Sequence, residues 1–218
     1  MLNLINTRFL SNTAAQYAGG AYALGAATAV DSRFENNRAG ASGGGLRVWS
    51  TLNMTNTHFL NNTANQFGGG AYVVQYHGGV SRIVNSLFAG NYSAYGSDAL
   101  HLFHPTYGNS RVAEVLHTTF ANPTLSSGEA IVAITNEDIG QGILMITDCI
   151  ISNYTVGIEQ GGNSVVSQDY NLFYGNSDDS IGTVSGGLNS MTADPAFAAP
   201  AAGNYRLTAA SAAIDLGV

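Results

Sequence analysis

The chain has 218 residues, with 7 basic and 14 acidic side chains and a formal net charge of −7; every basic side chain is an arginine. This balance disfavours binding to nucleic acid or to an anionic membrane surface, because both need a basic patch. The single cysteine, Cys149, excludes an internal disulfide framework. A hydrophobic fraction of 45% is enough to form a buried core. No apolar run reaches the ~18 residues of a membrane-spanning helix.

An internal repeat runs through most of the chain. Its unit is an aromatic or aliphatic residue followed three positions later by asparagine. The copies are Phe9–Asn12, Phe34–Asn37, Phe59–Asn62, Phe88–Asn91, Ile150–Asn153 and Phe173–Asn176, and Phe120 keeps only the aromatic residue. Counted from the first residue of each copy, the spacings are 25, 25, 29, 32, 30 and 23 residues. Eleven residues after each of the first three phenylalanines comes a glycine: Gly20, Gly45 and Gly70.

The residues around each repeat unit alternate with a period of two, which is typical of β-strands. After the glycines, one face carries small or aliphatic side chains, as at Ala21 and Ala23. A second strand precedes the aromatic residue, for example over Leu52–Thr55. Short strands repeated in register cannot bury a core singly, so successive coils must stack. The sequence predicts an all-β, single-stranded parallel β-helix of about seven coils over residues 1–185, with an irregular closing segment over residues 186–218.

Stacked coils would align equivalent side chains in columns along the rod. We expect an aromatic column of Phe9, Phe34, Phe59 and Phe88 inside it. Stacked amide side chains can hydrogen-bond from coil to coil. The expected asparagine ladder consists of Asn12, Asn37, Asn62, Asn91, Asn153 and Asn176. A second polar column, formed by Asn6, Asp31, Asn56 and Asn85, precedes the aromatic column by three residues.

These motifs also carry a family resemblance. Phe9-x-x-Asn12 with Gly19-Gly20-Ala21, repeated at Phe59 and Gly69, resembles the repeats of chlamydial polymorphic outer membrane proteins and of other bacterial right-handed parallel β-helix proteins. The tail, with Asp194-Pro195-Ala196-Phe197, resembles the C-terminal segments of secreted choice-of-anchor proteins. The resemblance implies a right-handed coil, as does the rule for parallel crossovers. It also implies an extracellular or cell-surface location and an adhesive role. Because Leu2 already lies in coil register, we expect further coils before it.

The outward face of the strand after the glycines is the candidate binding surface. Its members are Tyr22, Arg47, Trp49, Tyr72, Tyr76, His101 and Phe103. Aromatic rings with polar edges offer an apolar face beside hydrogen-bonding groups, which suits sugar rings. The expected partner is a polysaccharide or a surface protein. In the alternative interpretation, loops cover this strip and the rod is an inert structural spacer.

A polysaccharide lyase or glycoside hydrolase of the pectin-lyase-like fold is the enzymatic alternative. Glycoside hydrolysis needs two carboxylates about 5–9.5 Å apart. The adjacent acids Asp178-Asp179 and Glu137-Asp138 lie outside the alternating strand register, so no catalytic residue can be assigned. The sequence therefore favours a protein that is not an enzyme.

Histidines are concentrated in the longer coils, at His77, His101, His104 and His117. They lack the H-x-x-x-H and H-E-x-x-H spacings that place ligands on one metal ion. The sequence predicts no metal site and no cofactor. Calcium binding is conceivable for this fold, but no motif in the chain supports it.

Overall fold

The computed structural model describes residues 1–76, 79–105, 111–135 and 141–214. The predicted right-handed parallel β-helix is confirmed: the chain winds through long parallel sheets, each taking one strand from successive coils. Sheet A contains Leu2–Ile5, Ala27–Val30, Leu52–Thr55, Gly79–Val84, Arg111–Leu116, Gly142–Thr147, Val165–Asp169 and Val184–Gly186. Sheet B contains Arg8–Leu10, Arg33–Glu35, His58–Leu60, Leu87–Ala89, Thr119–Ala121, Ile150–Ser152, Leu172–Tyr174 and Met191–Thr192.

Two further sheets complete the coils. Sheet C is short and contains Thr13–Ala14, Arg38–Ala39, Thr63–Ala64 and Tyr92–Ser93. Sheet D contains Ala21–Ala23, Leu46–Val48, Ala71–Val74, Leu100–His104, Glu129–Thr135, Val156–Gly162 and Asp178–Ile181. The chain passes through sheets A, B, C and D in that order, so seven coils contribute a strand to sheet D and a partial eighth coil adds strands to sheets A and B.

Corners between sheets use residues with positive φ, where asparagine is tolerated better than most side chains. The corner from sheet A to sheet B has φ of 48° at Asn6, 50° at Asp31 and 49° at both Asn56 and Asn85. These four residues are the second polar column. In the first four coils a second left-handed residue follows the strand of sheet B and stands just before the ladder asparagine, as Asn61 stands before Asn62 with φ of 53°.

The aromatic column lies inside the helix. Successive rings of Phe9, Phe34, Phe59, Phe88 and Phe120 stack with centroids 4.9, 4.6, 4.7 and 5.0 Å apart. These separations match the spacing of neighbouring strands, about 4.8 Å, because each ring belongs to the next strand of sheet B. The column joins the aliphatic faces of sheets A and D in one continuous core.

The asparagine side chains connect four coils. The Nδ2 group of Asn37 donates to Oδ1 of Asn62 at 2.9 Å, and the Nδ2 group of Asn62 donates to Oδ1 of Asn91 at 3.0 Å. Asn12 donates to Asn37 in the same way at 2.9 Å. The Nδ2 group of Asn62 also reaches the Phe34 carbonyl oxygen at 2.9 Å. Each buried amide therefore satisfies both of its polar ends, as burial requires.

The sixth coil departs from the expected alignment by one residue. Ile151, not Ile150, pairs with Phe120 on one side and Phe173 on the other. Asn153 consequently has the left-handed corner conformation, with φ of 62°, and Tyr154 occupies the ladder position. Asn176 still accepts the Tyr154 backbone N–H at 3.0 Å and donates to the Ile151 carbonyl oxygen at 3.0 Å. The side-chain ladder therefore ends at Asn91, because Pro123 and Tyr154 hold its position in the fifth and sixth coils, although Asn176 keeps the backbone contacts of the position.

The glycines before sheet D allow the coils to approach closely. A Cβ atom on Gly44 would overlap the Gly69 carbonyl oxygen and lie 2.7 Å from backbone atoms of Thr63. Replacing Gly44 with alanine is expected to lower the free energy of unfolding by about 1–3 kcal/mol, the usual range for overpacking. At Gly25 a Cβ atom would meet only the Met1 nitrogen at 3.9 Å, so Gly25→Ala is the matched control. Urea unfolding of both variants tests this; equal midpoints would contradict it.

The closing segment does more than cover the end of the rod. After the eighth coil it forms an antiparallel hairpin of Phe197–Ala199 and Asn204–Leu207, joined by the 3₁₀ turn Pro200–Ala202. The hairpin lies along the outer face of sheet B, where its residues share cavities with Arg33 and Leu60 of early coils. Beneath it Leu60 is 9% exposed, whereas Leu10, the equivalent residue two coils further out, is 45% exposed. The hairpin turns back along the rod because it covers these apolar positions in doing so.

Within the described ranges, no helix has the length and apolar character required to cross a membrane.

Candidate functional site

The candidate strip lies on the outer face of sheet D, as its position in the repeat implies. Tyr22 pairs with Arg47, Arg47 with Tyr72, and Tyr72 with His101, so these side chains form one row along the rod. Tyr22 and Tyr76 are exposed, and Trp49, Tyr72 and Phe103 are half-buried. The rings are therefore not hidden beneath loops, which was the alternative expectation.

Arg47 is the centre of the row, and it is buried rather than exposed. Its guanidinium carbon lies 3.8 Å from the ring centroid of Tyr17, 4.9 Å from Tyr72, 5.4 Å from Trp49 and 5.9 Å from Tyr22. We call these four rings the Arg47 cage. A cation over an aromatic face is attracted by the ring quadrupole, and the attraction grows as the cation loses water. Arg47 therefore fixes the positions of the rings and contributes little surface of its own.

His101 is also buried, although the sequence suggested an exposed histidine. Its ring lies 4.9 Å from the Tyr72 ring and 5.1 Å from the Phe67 ring, and its Nδ1 atom is 2.9 Å from the Ser97 hydroxyl oxygen. Burial, with a smaller contribution from His104, lowers the pKa of His101 to about 3. His101 is therefore neutral at physiological pH and supports the neighbouring rings.

Three further aromatic residues belong to this surface and were missed from the sequence. Tyr17, Phe67 and Tyr95 lie in the turns between sheets C and D, outside the strand alternation. Phe67 contacts Tyr72 at 6.4 Å and Tyr95 at 6.2 Å, measured between ring centroids. All three are exposed. A signal was present, because Tyr17 and Phe67 each stand three residues before the last glycine of their coil.

The other edge of the strip is formed by rings that lie at, or just beyond, the C-terminal ends of the sheet D strands. The Trp49 and Tyr76 rings are 6.1 Å apart, and Phe103 pairs with Val74 in the adjacent row. Exposed and half-buried rings thus occupy both edges of sheet D through the first four coils. The surface combines apolar faces with phenol groups, a composition suited to recognition.

Acidic side chains lie beyond the aromatic rows. Burial raises the pKa of Asp98 to about 6 and also raises the pKa of Glu159; the nearby Glu129 carboxylate adds to both effects. Asp98 Oδ1 accepts the Ser93 backbone N–H at 2.8 Å, and Glu129 Oε2 accepts the Ser97 N–H at 2.6 Å. Asp98 is fully buried, so it cannot contact a substrate.

Metal-ligating side chains do not cluster. In the described ranges no group of three or more His, Cys, Asp or Glu residues could hold a metal ion. His117 lies 3.8 Å from the Asp148 carboxylate. Cys149 is buried, and burial raises the pKa of its thiol to about 12, so it is not a nucleophile. His77 and the pair Glu137-Asp138 lie outside the described residues.

Asp178 and Asp179, the other acidic pair, lie on the last strand of sheet D, so the prediction that they stand outside the strand register was wrong. Asp179 Oδ1 accepts a hydrogen bond from Asn176 Nδ2 at 3.1 Å, and its Oδ2 atom lies 3.4 Å from the Thr192 hydroxyl. These bonds connect the seventh coil to the start of the closing segment. The pair therefore has a structural use at the end of the rod, away from the Arg47 cage.

Comparisons with protein-family models, with curated proteins and with solved structures gave no match to this chain.

Proposed function

We propose that this protein is a secreted or cell-surface β-helical rod that binds an extended carbohydrate chain along the outer face of sheet D. The observation that carries the proposal is the set of aromatic rings held in fixed positions around Arg47. The resemblance of the repeats to those of polymorphic outer membrane proteins supports the location and an adhesive role. A surface protein is the alternative partner for the same rings.

The arrangement suits a linear ligand for two physical reasons. Stacking on rigid side chains costs little conformational entropy, and the Arg47 cage removes much of the rings' freedom before binding. The rings also recur from coil to coil along one side of the rod, so a chain lying parallel to the axis would meet several of them. Exposed tyrosines supply hydroxyl groups at the edges of these rings.

The enzymatic alternative has one observation in its favour: burial and, to a smaller extent, the nearby Glu129 carboxylate raise the pKa of Glu159 beside the aromatic surface. Two carboxylates are the minimum for glycoside hydrolysis. Against it, Glu129 already accepts a short hydrogen bond from the Ser97 backbone. A binding experiment with a second readout separates the two functions, because only a hydrolase releases new reducing ends.

The test uses immobilised oligosaccharides of β-1,4-linked glucose, xylose, mannose and N-acetylglucosamine. We expect the wild-type chain to bind at least one of them and the double variant Tyr17→Ala, Tyr22→Ala to bind it about tenfold more weakly or worse, as for aromatic hot spots. Tyr174, an exposed residue on sheet B, provides the matched control Tyr174→Ala.

Three outcomes would change the interpretation. Unchanged binding by the double variant would remove the Arg47 cage from the proposal. New reducing ends in the wild-type sample, abolished by Glu159→Gln, would favour the hydrolase. Absence of binding to every oligosaccharide, together with no binding to cell-surface protein extracts, would favour the inert spacer.

A further inference from the structure

The closing hairpin creates a groove on the outer face of sheet B, whereas the Arg47 cage lies on sheet D. Where it crosses the outer face of sheet B, it leaves a cavity of about 560 Å³ between the hairpin and coils two to five. Arg33, His58 and His117 line it from the rod, and Tyr205 and Arg206 line it from the hairpin. This volume falls within the usual range for small-ligand sites, about 300–1,000 Å³.

Two arginines line this groove in a chain that is otherwise acidic: Arg33 from sheet B and Arg206 from the hairpin. Arg8, Arg33 and His58 occupy the same row on three successive strands of sheet B. Arg206 approaches from the hairpin and has no ion-pair partner among the described residues. Convergent arginines are the usual recognition device for carboxylate and phosphate groups.

Three acids in the described part of the chain contact residues that line the groove: Glu35, Asp31 and Asp148. The Glu35 carboxylate accepts a hydrogen bond from Nε of Arg33 at 2.8 Å, and that bond is the main reason why the pKa of Glu35 is lowered. The contact uses one nitrogen of a guanidinium that carries five N–H donors. Burial, with Arg33 as a second cause, lowers the pKa of His58, so His58 is neutral at physiological pH and can donate or accept.

The remaining lining consists of groups that match hydroxyls. Asn56, Asn85 and Asn204 present amides, and Ser86 and Thr119 present hydroxyl groups. The Asn56 amide nitrogen donates to Asp31 at 2.5 Å, which fixes the orientation of this amide. Tyr205 packs edge-on against Phe197, with ring centroids 5.2 Å apart, which holds the Tyr205 ring at the groove. A site with cationic, amide and phenol groups suits a polyol that carries an oxyanion.

We propose that the groove between the closing hairpin and sheet B binds an acidic sugar, with its carboxylate at Arg33 and Arg206 and its hydroxyls at the asparagine amides. This site is separate from the Arg47 cage and does not depend on the function proposed for it. The hairpin supplies four of the thirteen lining residues, including Tyr205 and Arg206, so its return along the rod builds a binding site as well as covering apolar positions.

Calorimetric titration of the whole chain with glucuronate, glucose and inorganic sulfate tests the assignment. We expect glucuronate to bind measurably. Glucose and sulfate should each bind at least about tenfold more weakly, because glucose lacks the carboxylate and sulfate lacks the sugar hydroxyls. Equal affinity for sulfate and glucuronate would overturn the assignment to a sugar. Equal affinity for glucose and glucuronate would overturn the role of the arginines.

Two arginine substitutions test whether the ligand binds in the groove. Arg206 is exposed, so Arg206→Gln should leave the fold intact while weakening glucuronate binding about tenfold or more. Arg38→Gln makes the same chemical change at an exposed position on sheet C and should leave binding unaltered. Equal losses in the two variants would show a non-specific charge effect and overturn the site. The Tyr17→Ala, Tyr22→Ala variant should bind glucuronate normally, which keeps this proposal distinguishable from the first.

Discussion

Replacing Phe59 with alanine is expected to lower the free energy of unfolding by about 3–5 kcal/mol, the range for truncating a buried aromatic residue. Phe59 is fully buried, and its ring stacks between Phe34 at 4.6 Å and Phe88 at 4.7 Å, with interplanar angles of 4° and 5°. Truncation removes the ring and leaves a cavity that two backbone-paired neighbours cannot close. Equilibrium urea unfolding followed by circular dichroism measures the loss.

Phe67 provides the control for this prediction, because it is a phenylalanine of the same coil that lies in an exposed turn. Phe67→Ala should cost less, about 1–2 kcal/mol, because Phe67 is 36% exposed in a turn and its truncation leaves no enclosed cavity. If the two variants lost similar stability, the interior stack would contribute no more than a surface ring. The stacking of the phenylalanine rings would then follow from the strand register of sheet B and would not help to stabilise it.

Acidification is expected to destabilise the fold through His101 and His104. Burial lowers the pKa of His101 to about 3 and that of His104 to about 4, with smaller contributions from His104 and Arg111 respectively. Because these values lie below the ordinary value of about 6.5, the stability from keeping each ring neutral is fully present above that pH. It is lost as pH falls through the window from about 6.5 to the folded values, at up to about 1.4 kcal/mol per histidine and pH unit.

Asp98 opposes this loss in part. Its pKa is raised to about 6, mainly by burial, so its protonation favours the folded state as pH falls from 6 towards the ordinary carboxyl value. At pH 5 the histidines would cost about 4 kcal/mol relative to pH 7, and Asp98 would return about 1.4 kcal/mol. A net loss of about 2–3 kcal/mol is therefore expected, measured by urea unfolding at both pH values.

His104→Gln should reduce this pH dependence by about half. The His104 Nε2 atom lies 2.5 Å from the Gln75 side-chain oxygen, and a glutamine amide can donate to the same oxygen. His117, which is exposed, is the control: His117→Gln should leave the dependence intact. A stability that stays level from pH 7 to pH 5 would mean that neither buried histidine resists protonation.

The repeat predicted the fold because each equivalent position faces the same physical demand in every coil. Phenylalanine recurs where a large ring must stack inside, and asparagine recurs where a buried amide connects coils. The prediction failed where that signal was ambiguous. At Ile150-Ile151 two identical residues occupy adjacent positions, so only the strand pairing decides which of them faces the core.

The candidate site was predictable only in part. Alternation placed Tyr22, Arg47, Tyr72 and His101 on the outer face, because that face follows from the period of two. Burial of Arg47 and His101 did not follow, since it depends on Tyr17 and Phe67 projecting from turns that have no strand periodicity. The position of the closing hairpin was also not predictable, because it results from docking against distant coils and not from local sequence.

The uniform period of the first three coils has a consequence for how such a chain can change its length. Leu2 pairs with Ala27, and Ala27 pairs with Leu52, at equal steps of the sequence. Deleting one whole period would bring Leu52 onto Leu2 and Phe59 onto Phe9, so the register, the aromatic column and the asparagine ladder would all be kept. A gene of this kind can therefore gain or lose a complete turn by unequal recombination and still encode a foldable rod.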